Sequence, residues 1–198
     1  MKYIIEHLDG KVYNWSLLEY THCSKIVGKN NLIFTNVKGK KAQEKLADLG
    51  ETHMESVTDD EFLEYLETSL TLNRVCILDP LAEKELSPED ASNFDFLIFG
   101  GILGNYPPDK RTKTKISDKL ECEKRNLGNV QMSTNTAVYA AHTIINGKRF
   151  SDLKFVDELI IPMEDGLDVE LPFRYIIENG KPVLAPDFLE FLKNRKGF

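Results

Sequence analysis

The sequence has few of the residues from which disulfide frameworks and most metal sites are built. Its 198 residues include three cysteines, at positions 23, 76 and 122, and no CxxC pair. Three widely spaced cysteines cannot form a full disulfide framework, and their spacing disfavours a tetrahedral zinc cluster. The four histidines share no ligand spacing, and neither HExxH nor GxSxG occurs. Metal-dependent and serine-hydrolase chemistry are therefore disfavoured, and no metal is expected.

Long apolar runs are also missing. No stretch approaches the roughly 18 apolar residues of a membrane span. The opening MKYIIEHLDG reaches Glu6 and His7 before a secretory apolar segment can form. With 41% hydrophobic and 29% charged residues, the chain is too apolar for intrinsic disorder. A cytoplasmic globular protein that does not contact membranes is predicted, with one domain and an appendage.

Positive charge is in deficit, because 25 Lys and Arg face 32 Asp and Glu, which gives a net charge of −7. A protein that reads nucleic acid is expected to carry the opposite balance. Nucleic acid is therefore disfavoured as the direct substrate, although seven basic residues stand between Lys110 and Arg125. Two acidic runs, at 51–67 and 157–170, are either solvated faces or a docking surface for a basic partner.

Strand-like and helix-like segments alternate from the start of the chain, which predicts an α/β fold with a mainly parallel sheet. The segments predicted as strands are 1–6, 32–37, 74–78 and 94–99, and those predicted as helices are 14–27, 40–49, 59–70 and 133–145. Beyond Arg149 the pattern weakens into short strands around Phe155 and Tyr175 and a final helix near Lys193. We expect a domain at 1–149 and a C-terminal extension at 150–198 that packs on it.

A glycine-rich stretch follows the most hydrophobic predicted strand. Gly100, Gly101 and Gly104 have the spacing GGxxG rather than GxGxxG, and Pro107 and Pro108 prevent a helix from starting there. The dinucleotide-binding interpretation is therefore rejected, and a tight turn without a ligand remains one alternative. The polar stretch 105–118 is predicted to be a long loop or a loose helix, and such loops are often functional.

Three loops stand at the carboxyl ends of predicted strands: 78–80, 100–109 and 126–136. In open α/β sheets, ligands bind beyond the carboxyl ends of the strands. These loops are therefore expected to converge on one pocket.

The stretches FDFLIFGGILGNYPPDKRT and RNLGNVQMSTNTA, with YIIEH, LLEY and PFRY elsewhere, resemble the yeast SPOUT-fold protein arginine methyltransferase family. The resemblance covers nearly the whole chain and is strongest from Arg74 to Ala137. It implies a SPOUT (α/β-knot) fold with a C-terminal deep trefoil knot, which the general rule against threaded chains would not suggest. It also implies S-adenosylmethionine (SAM) as cofactor, S-adenosylhomocysteine as product, and no need for a metal.

The resemblance further implies the site residues. Those expected to bind the cofactor are Leu78, Asp79, Pro80, Gly100, Gly101, Ile102, Leu103, Gly104, Asn126, Leu127, Gly128, Gln131, Met132, Ser133 and Thr134. A side chain at Gly101 or Gly104 is expected to collide with the cofactor or distort the loop. A guanidinium acceptor needs carboxylates to hold its planar fork. The candidates in matching stretches are Glu6, Glu19, Asp79 and Asp109, and a surface or capping role is the alternative for each.

The implied function is SAM-dependent arginine N-methylation of a small-subunit ribosomal protein. One alternative is a SPOUT RNA methyltransferase acting on rRNA or tRNA, which the basic stretch from Lys110 to Arg125 could serve. Another is a non-catalytic module that binds SAM or the ribosome. The sequence leaves open the target arginine, the role of the extension, the carboxylate that orients the guanidinium, and whether the chain forms a homo-oligomer as other SPOUT proteins do.

Overall fold

Strands and helices alternate through the first 145 residues of the computed structural model, which describes residues 1–69, 74–101, 110–163, 166 and 168–194. In chain order the elements are β1 (Lys2–His7), α1 (Asn14–Val27), β2 (Leu32–Thr35), α2 (Lys40–Leu46), β3 (Glu51–Thr52), α3 (Asp60–Ser69), β4 (Val75–Leu78), α4 (Asp90–Asn93), β5 (Phe96–Gly101), β6 (Glu123–Arg125) and α5 (Thr134–Ile145). Most of the predicted segments are present, with ends that differ by a few residues.

The six strands form one parallel sheet in the order β3-β2-β1-β5-β4-β6. Glu6 lies opposite Gly100 and His7 opposite Gly101 in the pairing of β1 with β5. The carboxyl ends of β1, β4 and β5 therefore meet at one edge of the sheet. This architecture confirms the predicted mainly parallel α/β fold.

Both faces of the sheet are buried, which explains why its strands are continuously apolar rather than alternating. Ile4 and Ile5, adjacent on β1, are fully buried in two different cores. The core on what we call the α1 face includes Tyr20, Cys23, Leu78, Phe99, Leu127 and Val138. The core on the α3 face includes Ile33, Val57, Phe62, Leu66, Ile77 and Ile116.

Helix α1 begins and ends at the predicted residues. Tyr13 occupies the N-cap position without a side-chain cap, and Asn14 is the first helical residue. Gly28 ends the helix with φ +83°, a left-handed conformation that glycine adopts at little cost.

In the stretch 105–118, predicted to be a long loop or a loose helix, the structure has a helical turn at Lys113–Ser117.

The C-terminal part is more regular than its sequence suggests. It contains an antiparallel sheet of β7 (Lys154–Ile161), β8 (Val169–Glu178) and β9 (Lys181–Pro182), followed by α6 (Phe188–Lys193). The expectation of short strands was wrong, because β8 has ten residues. Its inward positions from Val169 to Tyr175 are buried at every second residue, a period-two pattern that is readable in the sequence, although Pro172 on the outward side argues against a long strand.

The extension packs on α1. Trp15 and Leu18 contact its apolar core, and the Trp15 and Phe188 rings lie edge to face with centroids 4.7 Å apart. The domain boundary near residue 149 stays a prediction. Within the described residues, no helix is both long and apolar enough to cross a membrane.

Candidate cofactor cleft

A cleft opens at the carboxyl edge of the sheet, beyond β4 and β5. It has about 620 Å³ of space, part of it open to solvent. Its described lining residues are Leu78, Asp79, Pro80, Phe99, Gly100, Thr112, Leu127, Gly128, Val130, Gln131, Met132, Thr134 and Ala137. The three loops predicted to converge therefore contribute residues to one cleft.

One wall of the cleft is apolar. Phe99 and Leu127 belong to the core of the α1 face, and Met132 packs against that core. Gly100 and Ala137 add small surfaces that leave room beside these side chains. Such a wall suits a flat aromatic ring, and adenine is a ring of that kind.

Nine of the residues predicted to bind the cofactor line this cleft: Leu78, Asp79, Pro80, Gly100, Leu127, Gly128, Gln131, Met132 and Thr134. The predicted residues Ile102, Leu103, Gly104 and Asp109 lie outside the described residues. The cleft is also lined by Phe99, Thr112, Val130 and Ala137, which are not among the predicted site residues. Phe99 could have been found as the last apolar residue before the glycines, whereas nothing in the basic stretch distinguishes Thr112.

Asn126 and Ser133 support the loop that precedes α5. The Asn126 amide donates to the Ala82 carbonyl at 2.9 Å and accepts from the Gly128 amide at 2.9 Å. The Ser133 hydroxyl, which is buried, lies 2.9 Å from Asn135 Oδ1 and 2.8 Å from Thr136 Oγ1. Both residues hold local structure, and a contact with the cofactor stays a prediction for each.

Gly101 is constrained by the protein core. A Cβ at this position would lie 2.5 Å from Ile5 Cγ2 and 2.5 Å from Tyr20 Oη. Both neighbours are buried, and the Tyr20 hydroxyl is bonded to His7 Nδ1 at 2.9 Å. A side chain here would therefore collide with β1 and α1, which agrees with the expected distortion, and a collision with the cofactor stays a prediction.

The C-terminal extension supports the loop that lines the cleft. The Arg174 amide of β8 donates to the Gln131 carbonyl at 2.8 Å. Gly128 has φ +81°, and a Cβ there would lie 3.0 Å from Phe150 Cζ. Only glycine fits that conformation with little strain. The loop is therefore held between the sheet edge and residues beyond 149.

Gln131 lines the cleft and carries a buried acceptor, Oε1, without a hydrogen-bond partner among the described residues. A buried acceptor without a partner costs free energy, so it favours a ligand that brings a donor. SAM carries an ammonium, an adenine amino group and ribose hydroxyls, and an apolar wall with one free acceptor fits it.

Asp79 is the one ionisable side chain among the described residues that line the cleft. It is 4% exposed. Its Oδ1 accepts from the Leu81 amide at 2.9 Å and its Oδ2 from the Ser117 hydroxyl at 2.5 Å. These bonds orient the carboxylate and leave lone pairs for a further donor. The described lining thus has one negative charge and no positive charge.

Glu19 lies directly behind the cleft on the α1 face. Its carboxyl accepts from Trp15 Nε1 at 2.8 Å and from the Thr134 amide at 3.2 Å. It thereby caps the N-terminus of α5, where Ser133 makes no side-chain cap. Burial raises the pKa of Glu19 to about 7.

The buried Tyr175 hydroxyl, which has no hydrogen-bond partner among the described residues, has a raised pKa because of burial and the nearby Glu19 charge.

Glu6 points to the α3 face, away from the apolar wall of the cleft. Its carboxyl accepts from the Thr35 hydroxyl at 2.5 Å, the Ser56 hydroxyl at 2.6 Å and the Val57 amide at 3.1 Å. Burial raises its pKa, and the hydrogen bonds oppose that shift. These contacts favour a structural role, and its predicted contact with a guanidinium stays a prediction.

No group of three or more His, Cys, Asp or Glu side chains in the described part of the chain is placed to hold a metal ion.

Comparison with known proteins places this geometry in a family. The model of the SFM1-like protein arginine N-methyltransferases matches residues 2–197. Protein arginine N-methyltransferase SFM1 of Saccharomyces cerevisiae is 37% identical over 98% of this chain and 94% of its own length. The crystal structure of the yeast arginine methyltransferase SFM1 complexed with SAM is 36% identical, covers 97% of this chain and 89% of that chain, and has a TM-score of 0.85.

A more distant structure shows the same fold. The dual specific Trm10 of Thermococcus kodakaraensis is 19% identical over 76% of this chain and 95% of its own, with a TM-score of 0.56. The yeast structures complexed with SAM, with S-adenosylhomocysteine and with MTA support the expected cofactor. These matches confirm the SPOUT fold and the methyltransferase class, and the chain belongs to the SFM1-like family of SAM-dependent protein arginine N-methyltransferases.

Proposed function

We propose that the chain methylates an arginine of a small-subunit ribosomal protein in the cytoplasm, and that Asp79 holds the acceptor guanidinium. The observation that carries the proposal is the single negative charge in the described lining of the cleft. A guanidinium is a planar cation whose paired N–H groups match a carboxylate. A chain with a net charge of −7 also attracts a basic substrate over a distance.

When bound, SAM supplies an electrophilic methyl group on a sulfonium sulfur. The protein's part is alignment, which can contribute much of the rate of such a reaction. The Phe99 and Leu127 side chains hold the adenine, and Gln131 Oε1 accepts from a cofactor donor. The Asp79 carboxylate orients the guanidinium, and it is the one described base in the cleft for the proton that the acceptor nitrogen loses.

Glu19 supports the cleft indirectly, through the backbone of α5. It lies outside the described lining but bonds the backbone amide of Thr134, which is part of it. We assign it the role of positioning the first turn of α5 and, with it, the cofactor loop. Its predicted direct contact with the guanidinium is the alternative.

The rival function is RNA methylation, favoured by the basic stretch from Lys110 to Arg125. Incubation of the chain with labelled SAM and small ribosomal subunits, followed by mass spectrometry, separates the two. We expect methylarginine in a ribosomal protein and loss of labelling when that arginine is replaced by lysine, since an ammonium cannot form the planar fork. A methyl group on a base or ribose, without methylarginine, would establish the RNA enzyme. Labelling of neither component, with SAM still bound, would establish a non-catalytic module.

A substitution tests the role of Asp79. Asp79→Asn is expected to lower kcat by about 100-fold, because the amide loses the charge that holds the guanidinium. The Kd of SAM, measured by calorimetry, should change by less than about threefold, since most of the wall is apolar. Asp48→Asn, at an exposed carboxylate paired with Lys29, is the control. An equal loss of SAM affinity and turnover would assign Asp79 to the cofactor instead.

A further inference from the structure

A row of basic side chains borders the mouth of the cleft. We call the exposed side chains of Lys110, Lys113, Lys115 and Lys119 the basic ridge. They lie on the segment that contributes Thr112 to the cleft lining. The ridge is therefore next to the site where the methyl group is transferred.

The segment that carries the ridge is held in place at both ends. Arg111 bonds Asp9 Oδ1 at 3.1 Å and the Leu8 carbonyl at 2.5 Å, which ties the segment to the loop after β1. Ser117 donates to Asp79 at 2.5 Å, and its neighbour Ile116 is fully buried in the core of the α3 face. Because of these contacts, the backbone that carries the lysines has a fixed position relative to the cleft.

Most of the ridge charge is not neutralised. Lys113 pairs with Asp118 at 2.8 Å, but Lys110, Lys115 and Lys119 form no ion pair with a described carboxylate. Residues 110–119 carry five cations and one carboxylate, a net charge of +4 before the pairing of Arg111 with Asp9 is counted, in a chain whose net charge is −7. The charge of this segment is thus opposite in sign to that of the whole protein.

Close to the cleft, this segment repels a free basic protein, even though the net charge of −7 attracts such a protein from a distance. A substrate that brings only Lys and Arg to the cleft mouth would meet repulsion from the ridge. A substrate that places an anion beside its target arginine would be attracted. Phosphates of a nucleic acid backbone are anions that separate lysine ammonium groups bind well, with release of counterions. The anion could come from rRNA or from an acidic segment of the substrate protein. Ribosomal proteins are basic and bind rRNA through their basic segments, so rRNA phosphate is the better candidate.

We infer that the basic ridge binds rRNA phosphates beside the target arginine, so that the RNA-bound ribosomal protein is the preferred substrate. RNA is then a docking partner rather than the molecule that is methylated. The identity of the substrate rests on the proposed function, but binding of RNA by the ridge does not.

Direct binding tests the ridge without any methylation. The triple variant Lys110→Glu, Lys115→Glu and Lys119→Glu is compared with Lys148→Glu, Lys154→Glu and Lys181→Glu, which makes the same charge change at exposed lysines away from the cleft. The probe is a fluorescent single-stranded RNA at several salt concentrations. The ridge variant should weaken binding by about tenfold or more and lower the salt slope by about 2, because each phosphate contact contributes about 0.7. Equal loss in both variants, or in neither, would overturn the inference.

Activity then tests the substrate preference. Intact small subunits and the protein extracted from them are methylated in parallel by the wild type and both variants. We expect the ridge variant to lose about tenfold in kcat/KM on subunits and little on extracted protein. Equal loss on both substrates would show that the ridge contacts protein and would overturn the inference. If the wild type methylates neither, the proposed function fails, and the RNA-binding result still decides for or against the ridge as an RNA site.

Discussion

Two buried glutamates lie on opposite faces of the sheet, and they differ in what their carboxyl groups hold together. Glu6 accepts three hydrogen bonds from β2 and the following loop on the α3 face. Glu19 joins α1 to the first turn of α5, beside the cleft on the α1 face. Burial raises the pKa of both. Burial and a shifted pKa therefore do not by themselves identify a functional carboxylate, and the partners decide the role.

The largest expected effect concerns the close packing of the α1 face. Gly101→Val should lower the free energy of unfolding by about 4 kcal/mol, because the added Cβ would lie 2.5 Å from Ile5 and Tyr20. Urea denaturation measures this, and Gly101→Ala should cost about half as much. A stable variant with lost SAM affinity would show that the position faces the cofactor after all.

The next effect is the pH dependence of stability that Glu19 causes. The folded state raises the pKa of Glu19 from 4.5 to about 7, so both states are protonated below pH 4.5. Between pH 4.5 and 7 the unfolded state ionises Glu19 while the folded state keeps it protonated, so stability falls as the pH rises. Above about 7 both states are ionised and the loss is complete. Between pH 4.5 and 8, the wild type should lose about 3 kcal/mol more than Glu19→Gln.

The difference in unfolding free energy between the wild type and Glu19→Gln reports on Glu19 alone, because Glu6 and His22 titrate in both proteins. Denaturation curves at four pH values suffice. Parallel loss of stability in both proteins would contradict the raised pKa of Glu19.

Removal of the other glutamate should affect stability alone. Glu6→Ala leaves the donors of Thr35, Ser56 and Val57 without their acceptor and should cost about 2 kcal/mol of unfolding free energy. The Kd of SAM should change by less than about twofold, since the apolar wall of the cleft belongs to the other face. Loss of SAM affinity or turnover in a stable variant would instead return Glu6 to the acceptor site.

The smallest effect concerns the cofactor. Glu19→Ala should raise the Kd of SAM about fivefold, because the Thr134 amide loses its acceptor and the α5 cap contributes about 1 kcal/mol. Calorimetry checks this at pH 7.5, with Glu6→Ala as the matched control. If Glu19→Ala lowers kcat while SAM affinity is unchanged, Glu19 contacts the guanidinium directly.

Much of the sheet could be read from the sequence, because local signals there agree with the tertiary fold. Asn14–Val27 has a helical pattern that ends at a glycine, and buried strands such as Val75–Leu78 are unbroken apolar runs. The length of β8 was underestimated, because Pro172 argues against a long strand even though the alternation of buried residues continues through it. Its pairing with β7 and β9 is set by tertiary contacts.

By itself, the sequence determined the parallel α/β architecture, the absence of a disulfide framework and, through the resemblance, the family and its cofactor. These follow from periodicity, composition and short motifs, which are local properties. Only the tertiary structure decided that Glu19 faces the cofactor loop while Glu6 faces the opposite core, and that Gly101 is confined by Tyr20. The direction of a buried side chain depends on the strand register and on which helix covers each face, and both are set by contacts between residues far apart in the chain.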